Sequence, residues 1–369
     1  MKKKLILFIL CACVMAMNAQ NVYYVEPGGT GSGASWNDAG ELQTVLNSVS
    51  SGDQIWVKKG IYIGFFTIQC PVELYGGFEG IENFLADRIL DWNNPTVLST
   101  GGMSSSCLSC DHALTDSGYS NCVIDGFKIM NSGHDNLFGG GLRFYDASEI
   151  ILRNLIFEDN IAQAGGGVSL EHCTGRIENV IFKNNKAWDA CGGLFLSYCS
   201  DMTIVNVLFE GNDATIMPPP GLYTICHWGG ALFAEHTVAD LVNCTFAANN
   251  VADSGNGIAV HASTLHITNS IFDRVEFLRL GNPSIDPSHI HFEYCNTWQC
   301  TRKPTSWSLQ YSHTMHHNPL FGSSYHLQSG SPCIDAGDNN FVPGNVLLDL
   351  DLQPRITNGT VDMGAYEFH

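Results

Sequence analysis

The sequence predicts an all-β solenoid, a single-stranded right-handed parallel β-helix with an N-terminal capping helix, and three observations carry that prediction. A phenylalanine is followed three places later by asparagine in FEDN (157–160), FKNN (182–185), FEGN (209–212) and FAAN (246–249). Glycine pairs leading into apolar residues fall between these motifs, in GGGV (165–168), GGLF (192–195) and GGAL (229–232), with a related GGGL at 139–142. The phenylalanines lie 25, 27 and 37 residues apart and Phe272 follows 26 further on, so the chain repeats at the length of one solenoid coil.

Each coil holds short alternating runs such as Val168 to Leu170 and Leu194 to Leu196, then an Asn-x-x-Phe run such as Asn179 to Phe182. Glycine, asparagine and aspartate punctuate them, which marks strands and turns. Helical repeats of this length would need two runs at 3.6-residue spacing, and glycine pairs with β-branched and aromatic residues do not suit that. Equivalent residues on successive rungs then stand about 4.8 Å apart. Phe157, Phe182, Phe209, Phe246 and Phe272 form an inward stack, each stabilising by roughly 2–3 kcal/mol through burial. Asn160, Asn185, Asn212 and Asn249 form a ladder at a turn, where side-chain amides bond the backbone of their own and adjacent rungs. These repeated residues are scaffold.

Before the rungs, Tyr23 to Val25 reads as a short strand and Gly28 to Gly33 as a glycine-rich loop. Asp38 to Val49 carries apolar residues at Leu42, Val45, Leu46 and Val49, the spacing of an amphipathic helix ended by Ser-Gly-Asp at 51–53. An open β-helix end exposes core and unpaired strand edges, and a capping helix covers both. Gln54 to Val57 and Gly60 to Phe66 would start the first coil. Residues 1–19 join three lysines to an apolar run from Leu5 to Val14 and a small residue, Ala19, before Gln20, the pattern of an export signal. A lipid-attachment box around Leu10 to Cys13 is the alternative. The expected divisions are 1–19 signal, 20–121 cap and first coils, 122–275 regular rungs, and 276–369 last coils with a closing cap.

The net charge of −19 becomes −22 once the three signal lysines are removed. Such an acidic surface disfavours nucleic acid, anionic lipid and polyanionic polysaccharide, and makes calcium or a neutral glycan the easier partner for what is expected to be a monomer. Of 14 cysteines, 12 follow the signal. Cys107 and Cys110 form a CxxC, Cys295 and Cys300 are spaced for a local bridge, and Cys173 and Cys199 occupy equivalent places on neighbouring coils, to bridge across rungs or to stack as small apolar groups. No second CxxC completes a four-ligand metal set.

Residues 23–62 (YYVEPGGTGSGASWNDAGELQ…SGDQIWVKKGIY), continued by LYGGFEG at 74–80, resemble the opening of bacterial pectin-lyase-like β-helix proteins. The FxxN and glycine-pair motifs are similar to those of polymorphic outer-membrane proteins. SPCIDAG (331–337), DLDLQPR (349–355) and VDMGAYEF (361–368) resemble the choice-of-anchor Q domain. The resemblance implies export, a β-helix and a place at the cell surface or outer membrane, and it implies no reaction. With His369 directly after the last motif, a secreted, periplasmic or lipid-tethered form is expected.

Chemistry is sought where rungs differ. Alignment on the glycine pair and phenylalanine puts Tyr145, Glu171, Ser197, Ala234 and His261 in one column, and Asp146, His172, Tyr198, Glu235 and Ala262 in the next. His172 and Tyr198 one strand spacing apart, flanked by Asp146 and Glu235, would serve proton abstraction or glycosidic cleavage. The alternative is that they are solvent-facing residues at strand ends, and a one-residue register slip would dissolve the column. The 37-residue interval inserts about eleven residues near Thr215 to Ile225, a loop standing off one face. Tyr223 and Trp228, with Trp188 on the previous coil, would stack on a sugar, and Glu171 and His261 would line the same ligand. His289, His291, His313, His316 and His317 are spaced as exposed histidines, so no metal-ligating set is expected from them. Ca²⁺ is the cation that Asp335, Asp338, Asp349, Asp351 and Asp362 would hold at the closing cap. The leading expectation is a noncatalytic exported protein presenting a face and a loop for adhesion or glycan binding. A polysaccharide lyase or glycoside hydrolase acting in a side groove is the alternative.

Overall fold

The computed structural model of the chain describes residues 20–369 apart from 112–118, 134–137, 217–227, 252–254, 283, 285–286, 306 and 308. Every pairing between named strands is parallel, and successive coils lay their strands on three shared sheets, with a further two-stranded pair. The long sheet runs from Val22–Val25 through Gln54–Lys58, Glu73–Phe78, Val123–Met130, Ile150–Glu158, Gly175–Lys183 and Met202–Glu210 to Gln310–Ser312. A second sheet contains Leu142–Tyr145, Val168–Glu171, Leu194–Ser197, Leu232–Glu235 and Ile258–His261, and a short third one contains Ile161–Ala164, Lys186–Ala190, Asp213–Ala214 and Asn250–Val251. This is the β-helix that the period predicts, with the right-handed crossovers that twisted parallel strands favour.

The two repeated columns are where the spacing puts them. Phe157, Phe182, Phe209, Phe246 and Phe272 are fully buried, and successive ring centroids lie 5.3, 4.9, 4.5 and 4.9 Å apart in stacked pairs. Asn160 donates through Nδ2 to Asn185 Oδ1 at 3.0 Å, Asn185 to Asn212 at 3.0 Å, and Asn212 to Asn249 at 2.9 Å. Each amide also donates to the carbonyl of a phenylalanine or isoleucine one rung back, such as Asn185 to Phe157 at 2.8 Å. The ladder thereby satisfies backbone groups that the turn would otherwise bury unpaired. The glycines beside it are required by space: a Cβ on Gly167 would stand 2.9 Å from both Phe182 Cδ1 and the Gly193 carbonyl oxygen.

At the N-terminal end the capping helix is shorter than expected, Leu42–Leu46, preceded by a 3-10 turn at Trp36–Asp38. Backbone groups of residues 38–40 bond Gly31, Gly33 and Tyr24, which keeps them out of the helix. Glu41 caps it by accepting from the backbone of Gln43 and Thr44. Leu42, Val45 and Leu46 close the main core. Gln43 bonds both the N–H and the carbonyl of Thr67, so a side-chain amide covers the edge strand Phe66–Thr67.

At the other end Met315 still pairs in parallel with Asn296 on the last rung. The segment after Gln310–Ser312 turns back and docks along the flank of the solenoid, through Asn206 to the Leu348 carbonyl (2.7 Å), Asn243 to the Asp362 carbonyl (2.9 Å) and Asn269 to the Asp338 carbonyl (2.9 Å). Arg355, 1 % exposed, organises the segment by pairing with Glu367 at 2.8 Å and donating to the carbonyls of Gly364 and Ala365. Four of the five carboxylates expected to hold Ca²⁺, those of Asp338, Asp349, Asp351 and Asp362, are otherwise committed. Asp349 accepts from the backbone of Asp351, Gln353 and Glu367, Asp362 from Asp335 and Phe368, and Asp338 from Asn340, while Asp351 pairs with His326. Among the described residues these acids do not gather as a metal site.

The cysteine expectations resolve toward stacking. Cys173, Cys199, Cys295 and Cys300 are free thiols. Cys173 and Cys199 point inward and donate to carbonyls of their own and the previous rung. Burial pushes thiols such as Cys244 and Cys295 up to about 12, so they pack as small apolar groups.

Candidate functional site

On the second sheet, Tyr145, Glu171, Ser197, Glu235 and His261 are lateral neighbours, rung upon rung. Glu235 therefore occupies the column expected for Ala234, and His236 takes the place expected for Glu235 beside Tyr198. The slip has a backbone cause. In the left-handed position that opens each glycine turn stand Gly139, Gly165, Cys191, Gly229 and Gly255, with φ from 58° to 79°. Gly192–Gly193 are thus the second and third residues of their turn, whereas Gly229–Gly230 are the first and second of theirs, with Ala231 third. Aligning the two visible pairs shifts the fourth rung by one.

The corrected outer column is Asp146, His172, Tyr198, His236 and Ala262, all with φ between 46° and 56° and set at the corner after the strand. His172 and Tyr198 are indeed neighbours, with centroids 5.1 Å apart and planes 11° from parallel. Tyr198 and His236 stack at 4.6 Å and 14°. Face-to-face stacking places ring on ring, not N–H toward phenol oxygen, so the expected imidazole–phenol proton relay is not what this geometry builds. It also uses up ring faces that a sugar would stack on, leaving polar edges toward solvent. Asp146 is exposed at the start of the column, and Glu171 is half-buried 3.5 Å from the Arg143 guanidinium.

The expected aromatic platform does not assemble. Trp188 is 3 % exposed, with no free face for a ligand. Trp228 packs edge-on against Phe233 at 5.8 Å in a small apolar cluster with Phe195. Tyr223 and most of the inserted loop lie outside the described residues.

A concavity that the motifs did not single out lies on the outer face of the long sheet. Successive rungs place Arg176, Thr203, Asp240, His266 and His291 side by side in register. Asn340, Phe341 and Pro343 of the docked C-terminal segment form the wall, and Val242, Thr268 and Glu293 complete a groove of about 490 Å³. Arg176 is oriented by Glu178 at 2.7 Å and by Asn345 at 3.1 Å. His266 and His291 stack at 5.0 Å, and burial, then the neighbouring His266 and His289, hold the His291 imidazole below its ordinary value. Donors, acceptors and titratable groups of both signs converge here. The outward alternation of residues 176, 203, 240, 266 and 291 was available in the sequence, but the wall that makes them a groove comes from residues at least 49 positions further along the chain.

In sequence, a family model for the right handed beta helix region matches residues 103–272, the stretch that carries the FxxN rungs. No curated protein sequence matches the chain. Among solved structures, pectate lyase Pel9A is similar over 95 % of this chain and 97 % of its own, at 12 % identity and a TM-score of 0.44. An alginate lyase from Paenibacillus sp. str. FPU-7 is similar over 79 % of this chain and 99 % of its own, at 12 % identity and a TM-score of 0.33.

Proposed function

We propose that the protein is an exported, noncatalytic β-helix of the cell envelope or its surroundings that binds a neutral glycan along the groove of the long sheet. One observation carries this: five polar side chains, Arg176, Thr203, Asp240, His266 and His291, lie in register across consecutive rungs beneath the wall at Asn340 to Pro343. A row of donors and acceptors repeated at strand spacing, about 4.8 Å, suits a hydroxyl-rich polymer laid across the strands. The net charge of −19 supports a neutral polymer over a polyanionic one. The N-terminal signal pattern supports export, and the adhesin-like and anchor-like motif resemblances support a place at the cell surface.

The second reading, a polysaccharide lyase or hydrolase, draws on the same groove, where Asp240, His266, His291 and Glu293 supply acid and base groups. A glycan array followed by product analysis separates the two. Binding without chain cleavage, weakened at least tenfold by Asp240→Ala or Thr203→Ala in a folded protein, is the expected outcome. Cleavage products that disappear in His291→Ala and Asp240→Ala overturn the noncatalytic reading, and binding unchanged by all these substitutions removes the groove as the site.

A further inference from the structure

We propose that Glu235, His236 and His261 on the second sheet form a binding site for a divalent transition-metal ion, with Zn²⁺ the best-suited occupant. One ligand atom from each of the three lies within 4.8 Å of the other two. His261 Nδ1 and Glu235 Oε1 are 3.3 Å apart. Two ligands held about 2.0–2.1 Å from an ion at a tetrahedral angle stand roughly 3.3–3.4 Å from each other, so an ion would take over this contact in place of a shared proton. A ring nitrogen of His236, the exposed member of the three, supplies the third ligand. Two imidazoles and one carboxylate match zinc, with copper and nickel as competitors, and do not match the all-oxygen preference of calcium.

The surroundings hold each ligand in place. Ser197 Oγ donates to Glu235 Oε2 at 3.3 Å, which leaves Oε1 to face His261. Tyr198 stacks on the His236 imidazole, and the His236 backbone N–H donates to the His261 backbone carbonyl at 2.9 Å, fixing the two rungs relative to each other. His236 and His261 meet edge to face at 5.3 Å and 63°, so their nitrogens are not blocked by a shared stacking face. The trio is absent from any local motif. Glu235 and His236 are adjacent, and His261 is 26 residues on, one rung along the solenoid. It stands on a different sheet from the groove and does not depend on the glycan reading.

Calorimetric titration of the full chain, without a histidine tag, with ZnCl₂ tests the site, alongside the visible absorption of bound Co²⁺ as a report on geometry. One Zn²⁺ per chain is expected, with a Co²⁺ spectrum of a four-coordinate nitrogen–oxygen site. Glu235→Gln and His261→Ala should each weaken zinc by more than the roughly 10–100-fold typical of losing a partner behind a ligand, and Ser197→Ala should fall within that range. His291→Ala should leave affinity unchanged. Thermal melts in chelator confirm that each variant is folded, and two independent ligand substitutions keep the test open if one is not. No zinc binding by the parent, affinity unchanged in Glu235→Gln and His261→Ala, or loss in His291→Ala alone would overturn the proposal.

Discussion

Asn160, Asn185, Asn212 and Asn249 run down the solenoid as one column, and Asn154, Asn179, Asn206, Asn243 and Asn269 as another. The first column is closed on itself. Each amide follows a residue in the left-handed conformation, turns inward and bonds a core carbonyl, and the first three also bond the next asparagine. In the second column the asparagines themselves hold the left-handed bend, with φ from 48° to 54°, and their side chains turn outward. Asn206 still reaches back to Asn179 at 2.9 Å, but Asn206, Asn243 and Asn269 also grip the C-terminal segment. The same residue type at the same period thus makes a rung-to-rung brace in one place and a docking rail in the other. What separates them is which residue absorbs the positive φ, because that decides whether the amide faces core or flank.

Substitutions can break this contrast, and the largest effect is expected in the closed column. Asn185→Ala leaves the Phe157 carbonyl and the amides of Asn160 without their partner, at about 1–3 kcal/mol for each buried group, so a loss on the order of 3–5 kcal/mol should appear in urea unfolding. Next is Arg355→Met, which strands Glu367 in the docked segment and should cost about 3–5 kcal/mol. Hydrogen exchange should rise across residues 313–369 while the strands from 142 to 261 keep their protection. Equal loss in both regions would show that segment and solenoid unfold as one unit. Gly167→Ala, forced against Phe182, should cost about 1–3 kcal/mol in the same unfolding assay.

Asn179 gives a smaller and sharper comparison. Asn179→Gly keeps the left-handed bend and should lose about 1 kcal/mol for its hydrogen bonds, whereas Asn179→Ala should lose about 1–2 kcal/mol more. In the closed column, Asn185→Gly should be no better than Asn185→Ala. The smallest effect is a pH dependence in the groove wall and floor. Because the folded His291 imidazole is held below its ordinary value, its contribution is complete above the unfolded value and is lost as pH falls through that value toward the folded one. Thermal melts from pH 7 down to 5 should show a shallow decline that His291→Gln flattens.

Most of the solenoid was legible because its signals are local and repeated. A phenylalanine every coil must share a wall, and an asparagine three places on must share a turn, whatever the remaining chain does. The candidate sites were less legible. The polar column at residues 146, 172 and 198 could be drawn from spacing, yet its fourth member was misplaced because Cys191 stands in a left-handed position where other rungs have glycine. One such substitution moved Glu235 beside His261 and brought His236 onto Tyr198. Spacing also could not show that the rings would stack and hide their faces, or that Trp188 would be buried.

The sequence by itself determined the coil, the inward phenylalanine stack, the closed asparagine ladder and the need for a covering helix at the first rung. Periodicity measures distance along the chain, and in a parallel solenoid that distance converts directly into a lateral neighbour. Only the tertiary structure decided the register of the fourth rung, and with it the Glu235, His236 and His261 cluster, and the docking of the C-terminal segment along the flank, and with it the groove. Those depend on which backbone position takes the positive φ and on contacts between residues as many as 169 apart, as with Arg176 and Asn345, and no local pattern encodes either.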